Sequence, residues 1–149
     1  MEKERVVVCG IGNRIRGDDA IGPMVIDSLQ DKGDENILFI SCESVPESFL
    51  GKIVDFRPEK VILIDAVDFG KEPGTVDRVD MHTVKKMNLS THKMPLTLFV
   101  DYLQKRLNFR LVFIGFQPKN LRLGDEISPE CGNSLESIKG MVLEDIGIG

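Results

Sequence analysis

Nowhere in these 149 residues is there a run of the roughly 18 to 20 apolar residues that a bilayer-spanning helix needs. The opening MEKERVVVCGIGN passes from charged residues straight into a short apolar segment. It has neither the long apolar stretch nor the small-residue cleavage site of a secretory signal, so a cytoplasmic protein with no membrane attachment is expected. Cysteine is scarce: Cys9, Cys42 and Cys131 are odd in number and widely spaced, which fits neither a disulfide framework nor a CxxC metal knuckle. Cys9 and Cys42 lie inside apolar runs and read as buried thiols, and nothing in the sequence marks Cys131 as a nucleophile. There is no basic stripe interleaved with aromatics, and the formal net charge is -5, so nucleic acid is not an expected partner. The Lys85-Lys86 pair reads as solvated surface. Repeats, low-complexity tracts and linkers are absent too, so one domain over 1–149, with a single core and monomeric, is the expectation.

What is present is alternation. Four short β-branched runs, Arg5 to Cys9, Asn36 to Ser41, Lys60 to Ile64 and Arg110 to Ile114, read as strands buried on both faces. Helical spacing separates them. A first helix is expected to start between Ile21 and Pro23, burying Ile21, Val25, Ile26 and Leu29, and to stop at Gly33. A second covers Pro46 to Asp55. A third starts near Pro95 and carries Leu96, Phe99, Val100, Leu103 and Leu107 inward, and a last one runs from Asn133 to Asp145 with a frayed tail after it. Pro73-Gly74 is a turn signal, followed by an alternating run suited to an extra edge strand. This order predicts a three-layer α/β/α sandwich around a mainly parallel sheet of about five strands.

In such a sheet ligands gather beyond the carboxyl ends of the strands, so the loops there matter most. The first reads GIGNRIRGDDAIGP. Gly10 and Gly12 begin a dinucleotide fingerprint, but Ile15 stands where the third glycine is required, and two carboxylates would repel a pyrophosphate. Asp18 and Asp19 sit near a helix start, where the helix dipole stabilises acidic residues. Adjacent residues point different ways, so capping by one leaves the other to face the sheet. Asp65 follows the apolar VILI and lies at or just beyond a strand end, either buried against loop amides or offered to a ligand. Asp68, in DAVDFG, reads as a turn residue. Of the two histidines, His92 lies in STHKMPLTL just before a helix, whereas His82 sits in a charged stretch and looks dispensable. Asp19, Asp65 and His92 would together offer two carboxylates and one imidazole, a mixed set suited to a borderline divalent ion such as zinc, nickel or cobalt. No HExxH helix or Ser-His-Asp arrangement is visible.

The stretches VVVCGIGNRIRGDDAIGP, SCESVPESF, VILIDAVDFGKEPGTV, LSTHKMPL and FIGFQPKNLRLGDEISPE, in this order, resemble the hydrogenase maturation endopeptidases along the whole chain. The third and fourth are most similar to the subgroup that processes hydrogenase-3-type and deazaflavin-reducing hydrogenases. By position, the resemblance assigns Asp19 and Asp65 as the acidic metal-contacting residues and His92 as the imidazole. Two positions depart from the pattern. Asp19-Ala20 stands where the family often has Glu-Gly, which shortens the reach by a methylene and forbids some positive-φ conformations. Glu43 replaces a frequent Asp after the second strand and is a secondary candidate.

The resemblance implies an enzyme that removes the C-terminal extension of a nickel-iron hydrogenase large-subunit precursor once nickel is in place. Nickel is then supplied by the substrate, and no organic cofactor is expected. Whether the ion acts as Lewis acid or only as a recognition element, with a carboxylate as general base, is open at this level. Two other classes compete: a nickel-dependent chaperone that holds the precursor without cutting it, and a nucleotide-binding domain.

Overall fold

The computed structural model describes residues 3–83 and 95–148. The chain runs β1 (Val6–Ile11), a 3-10 turn (Gly17–Ala20), α1 (Ile21–Leu29), β2 (Ile37–Glu43), a second 3-10 turn (Pro46–Phe49) leading into α2 (Leu50–Phe56), and β3 (Lys60–Ala66). Then come β4 (Val76–Arg78), α3 (Leu96–Gln104), β5 (Arg110–Phe116) and α4 (Ser134–Asp145). Among the described residues the sheet order is β2-β1-β3-β5-β4, with β1, β2, β3 and β5 parallel and β4 antiparallel on the edge. The expected sandwich is therefore observed, and the short run after Pro73-Gly74 is the edge strand. No helix among the described residues is long and apolar enough to cross a membrane.

Successive residues of a strand face opposite sides, and both sides here are apolar. Val6, Val8, Ile62 and Ile64 pack beneath α1 and α4, against Ile21, Val25, Ile26, Ile138 and Val142. Val7, Cys9, Val61 and Leu63 face the other way, towards Ile53 of α2 and Phe99 and Leu103 of α3. Cys9 and Cys42 belong to this second layer and are fully buried. The neighbouring Cys42 thiol and burial together push the Cys9 thiol well above its usual range, so it is inert packing. Leu107, expected within the third helix, falls beyond its end but still packs against that layer.

Three differences from the sequence reading matter. Each parallel strand continues about two residues past its apolar run, because the ladder pairs backbone groups whatever the side chain. Asp65 pairs with Gly115 and Ala66 with Phe116, which makes Asp65 part of the sheet and not of the loop after it. The first helix proper ends at Leu29 and tightens into a 3-10 turn before Gly33. The glycines of the first loop serve packing: a Cβ on Gly10 would lie 2.4 Å from the Gly22 carbonyl oxygen and 2.5 Å from Ile26 Cγ1, so their absence lets α1 settle directly onto β1.

That contact predicts that Gly10→Ala lowers the unfolding free energy by about 2 to 3 kcal/mol through overpacking. Gly51→Ala, where an added Cβ meets nothing within 4 Å, should raise it by about 0.5 kcal/mol. Urea titration of the two variants checks both signs.

Candidate active site

Strand order reverses between β1 and β3: the chain leaves β1 outward to β2 and returns to β3 on the other side. The crevice at such a switch point, at the carboxyl ends of the strands, is where an open parallel sheet receives its ligand. Asp65 stands there at the penultimate residue of β3, only 1% exposed, its Oδ1 accepting the Ala66 amide at 2.8 Å. Asp19 comes from the 3-10 turn, 3% exposed, its Oδ2 accepting the Asn13 amide at 2.7 Å. The turn lies against β3 and directly over Gly12. A Cβ on Gly12 would sit 1.9 Å from the Asp19 carbonyl oxygen and 3.3 Å from its Oδ1, and φ there is +151°, so glycine is required twice over. Because Gly10 pairs with Ile64, the Ile11-Gly12 end of β1 runs alongside Asp65. The structure thus brings Asp19 and Asp65 to one rim; His92 lies outside the described residues.

Asp18 is fully buried and faces the opposite way. Its Oδ2 accepts the amides of Lys119 at 2.8 Å and Asn120 at 2.9 Å and the Ser128 hydroxyl at 2.9 Å, and its Oδ1 accepts the Ser128 amide at 2.7 Å. Burial alone would push this carboxyl up, but the donors from Asn120, Ser128 and Lys119 outweigh it and hold it below its usual range. Neither aspartate makes the helix-capping bond expected of one of them: Asp18 instead ties the loop after β5 to the loop after β1.

Glu43 ends β2 in the left-handed region, φ +50°, with its carbonyl accepting the Gly12 amide at 2.7 Å. Its side chain is half exposed and engages Arg14 Nε at 2.8 Å. Arg14 also donates to Asp27 at 2.5 and 3.1 Å and to Ser41 Oγ at 3.1 Å, and these carboxylates, Asp27 first, raise its pKa. Glu43 therefore sits on the outer side of the rim as part of a clamp on the first loop.

Gln117 is a residue that sequence reasoning missed. It is buried just past β5, and its Oε1 accepts the amides of Phe69 at 2.9 Å and Lys71 at 3.2 Å while its Nε2 donates to Asp68 Oδ1 at 3.2 Å. It moulds the loop that follows Asp65, and Asp68 is the turn residue it was read to be. The signal was available, since FIGFQ has the same form as VILID, an apolar strand closed by a polar residue. Cys131 is fully buried, and burial foremost pushes its thiol up, its Sγ lying 3.4 Å from the Gln117 carbonyl oxygen. His82 is exposed.

Among the described residues no three His, Cys, Asp or Glu side chains converge into a set able to hold a metal. The rim offers two buried carboxylates, which can contact a cation brought to them or take a proton from water.

Residues 23–145 match the hydrogenase maturation proteases, over more than half of the chain. The chain belongs to this family. The hydrogenase 3 maturation protease of Escherichia coli K12 is 32% identical over 114 residues, covering 76% of this chain and 72% of that protein. The crystal structure of a NiFe hydrogenase maturation protease from Thermococcus kodakarensis superposes with a TM-score of 0.87 at 34% identity, over 97% of this chain and 94% of that one. The coenzyme F420 hydrogenase subunit delta of Methanothermobacter thermautotrophicus is 27% identical over 154 residues, covering 96% and 95% of the two chains. Hydrogenase maturation proteases are endopeptidases, so the reaction this fold has to support is hydrolysis of a peptide bond.

Asp18→Asn removes the charge that receives four donors and should cost about 3 kcal/mol at pH 7. A carboxyl held below its unfolded value of about 3.9 contributes fully above that pH, and the contribution is lost as pH falls through the depressed folded value. The stability gap between wild type and variant should therefore be full at neutral pH and narrow in acid. Urea unfolding over a pH series checks the sign; a gap that widens in acid would contradict it.

Proposed function

We propose that this protein removes the C-terminal extension from the large-subunit precursor of a nickel-iron hydrogenase after nickel insertion, and that Asp19, Asp65 and His92 recognise the nickel the precursor carries. The observation that supports this best is the pair of buried carboxylates at the switch point of a sheet belonging to this protease family. The NiFe hydrogenase maturation protease of Thermococcus kodakarensis, similar over nearly the whole chain, supports the choice of substrate class.

Nickel is here part of the substrate. Carboxylates in weakly screened surroundings attract a divalent cation strongly, so precursor that carries the ion gains contacts that empty precursor cannot make. Hydrolysis requires water to add to the scissile carbonyl carbon, the C–N bond to break, and the departing amine to gain a proton. A rim carboxylate accepts the proton of the attacking water, and the imidazole or the newly protonated carboxyl returns one to the amine. Glu43 and Arg14 hold the loop that carries Asp19 and do not enter these steps.

Nickel-loaded and nickel-free precursor are incubated with the protein and followed by mass spectrometry. Loss of a C-terminal peptide from the loaded form alone is expected; an unchanged mass in a stable complex would instead identify a nickel-dependent chaperone. Asp19→Ala, Asp65→Ala and His92→Ala should each slow cleavage by about 100-fold or more with the circular dichroism spectrum unchanged. His82→Ala should cleave at close to the wild-type rate. Undiminished cleavage by Asp65→Ala would remove that residue from the site.

A further inference from the structure

Two large aliphatic side chains on the same rim stand out in the water. Leu123 is 70% exposed and Ile15 61%, the highest values among the exposed large hydrophobic residues described. Single exposed aliphatics are commonplace and mean little. These two are distinguished by how they are held. The Gly124 amide donates to the Ile15 carbonyl at 2.7 Å, which sets residue 123 alongside residue 15. The same two loops are joined by Gly17 N–H to the Asp125 carbonyl at 3.0 Å, by Arg16 Nε to the Leu121 carbonyl at 3.0 Å, and by the Asp18 carboxylate. Leu121 and Ile127 of the same loop pack against the core, whereas Leu123 between them faces outward.

Charge and position indicate what would cover them. Three of the cations on either side are paired within the protein: Arg14 with Asp27 and Glu43, Arg122 with Asp125, and Lys119 with Glu130. Arg16, beside Ile15, is bonded through Nε to the Leu121 carbonyl. An acidic segment would have to compete with these internal partners, so what the patch offers a partner is its two aliphatic side chains, which an aliphatic segment suits. Ile15 belongs to the loop whose Asn13 amide holds Asp19, so a chain laid across Asp19 passes beside it. We infer that Ile15 and Leu123 form a docking pair for an apolar segment of the hydrogenase precursor next to the bond to be cut. This rests on the proposed peptidase reading. Because the backbone that carries the pair is held before binding, no loop has to be ordered for its use.

The test combines equilibrium binding of nickel-free precursor, which is not cut, with steady-state cleavage of nickel-loaded precursor, for wild type, the double variant Ile15→Ser/Leu123→Ser, and Ile148→Ser. Ile148 is also exposed but lies at the opposite end of the sheet, beside Lys3 and Val6. The double variant should keep the wild-type unfolding midpoint, bind nickel-free precursor about tenfold more weakly or worse, and show a KM raised by a similar factor with kcat within about twofold; Ile148→Ser should match wild type. Unchanged binding and KM in the double variant, equal losses in Ile148→Ser, or no binding of nickel-free precursor to the wild type would overturn the docking pair. Wild type that binds but does not cut would defeat the peptidase reading instead, and the binding comparison would still decide the fate of Ile15 and Leu123.

Discussion

The carboxylate of Asp18 is a charge in the interior, and the upper half of the molecule is arranged to make that tolerable. Removing an ion from water costs several kcal/mol unless its lone pairs are met. Here three backbone amides and a hydroxyl from one loop meet them. The loop after β5 is anchored by Leu121, Ile127 and Cys131 on the core and by those donors converging on one side chain. The constraint acts in both directions, since the 3-10 turn that presents Asp18 is pinned by the same bonds. With Asp18 committed to the loop, its neighbour is rotated away towards Asn13 and the end of β3, and this is how Asp19 reaches the rim.

Close packing makes the second half of the arrangement. The turn rests on Gly12 at a separation no side chain permits, and α1 rests on Gly10 in the same manner. The glycines that resemble a phosphate-binding loop thus bring a carboxylate down onto the sheet. Ala20, which replaces a frequent glycine of the family, adopts φ -71°, a conformation open to any residue. The loop shape at that point does not depend on glycine.

The layers, the sheet and the order of its elements were legible because they follow from short-range pattern: apolar runs for two-sided strands, a 3.6 period for covering helices, Pro73-Gly74 for the edge strand. Strand ends were less so. Asp65 and Glu43 looked like loop residues because polarity ends an apolar run, whereas the ladder ends only when its hydrogen bonds do. Asp19 and Asp65 could be singled out from their place after strands. The partners of Asp18 lie 101 to 110 residues away, and no local pattern announces them. Arg14 fixing Glu43, and Gln117 shaping the Asp68 turn, are likewise tertiary contacts between segments whose spacing carries no signal.

Under the proposed function, cutting only a finished precursor means separating two kinds of contact. The proposed apolar docking on Ile15 and Leu123 would be available to loaded and empty precursor alike, and so would increase occupancy without telling them apart; discrimination is a difference of affinities. In the proposed reaction the difference comes from groups that sense the ion, a role assigned there to the buried carboxylates of the rim together with His92. Their burial suits that proposed role, because a carboxylate at 1% or 3% exposure exchanges little of its interaction energy with water and responds strongly to a cation a few ångströms away. Each 1.4 kcal/mol of such preference is a factor of ten between the two precursors. Fixing the carboxylates through Asn13, Ala66 and the Asp18 tie keeps that preference from being dissipated in rearrangement. The rigidity of the two loops and the selectivity proposed for the site are then one property, traceable to the buried charge at residue 18.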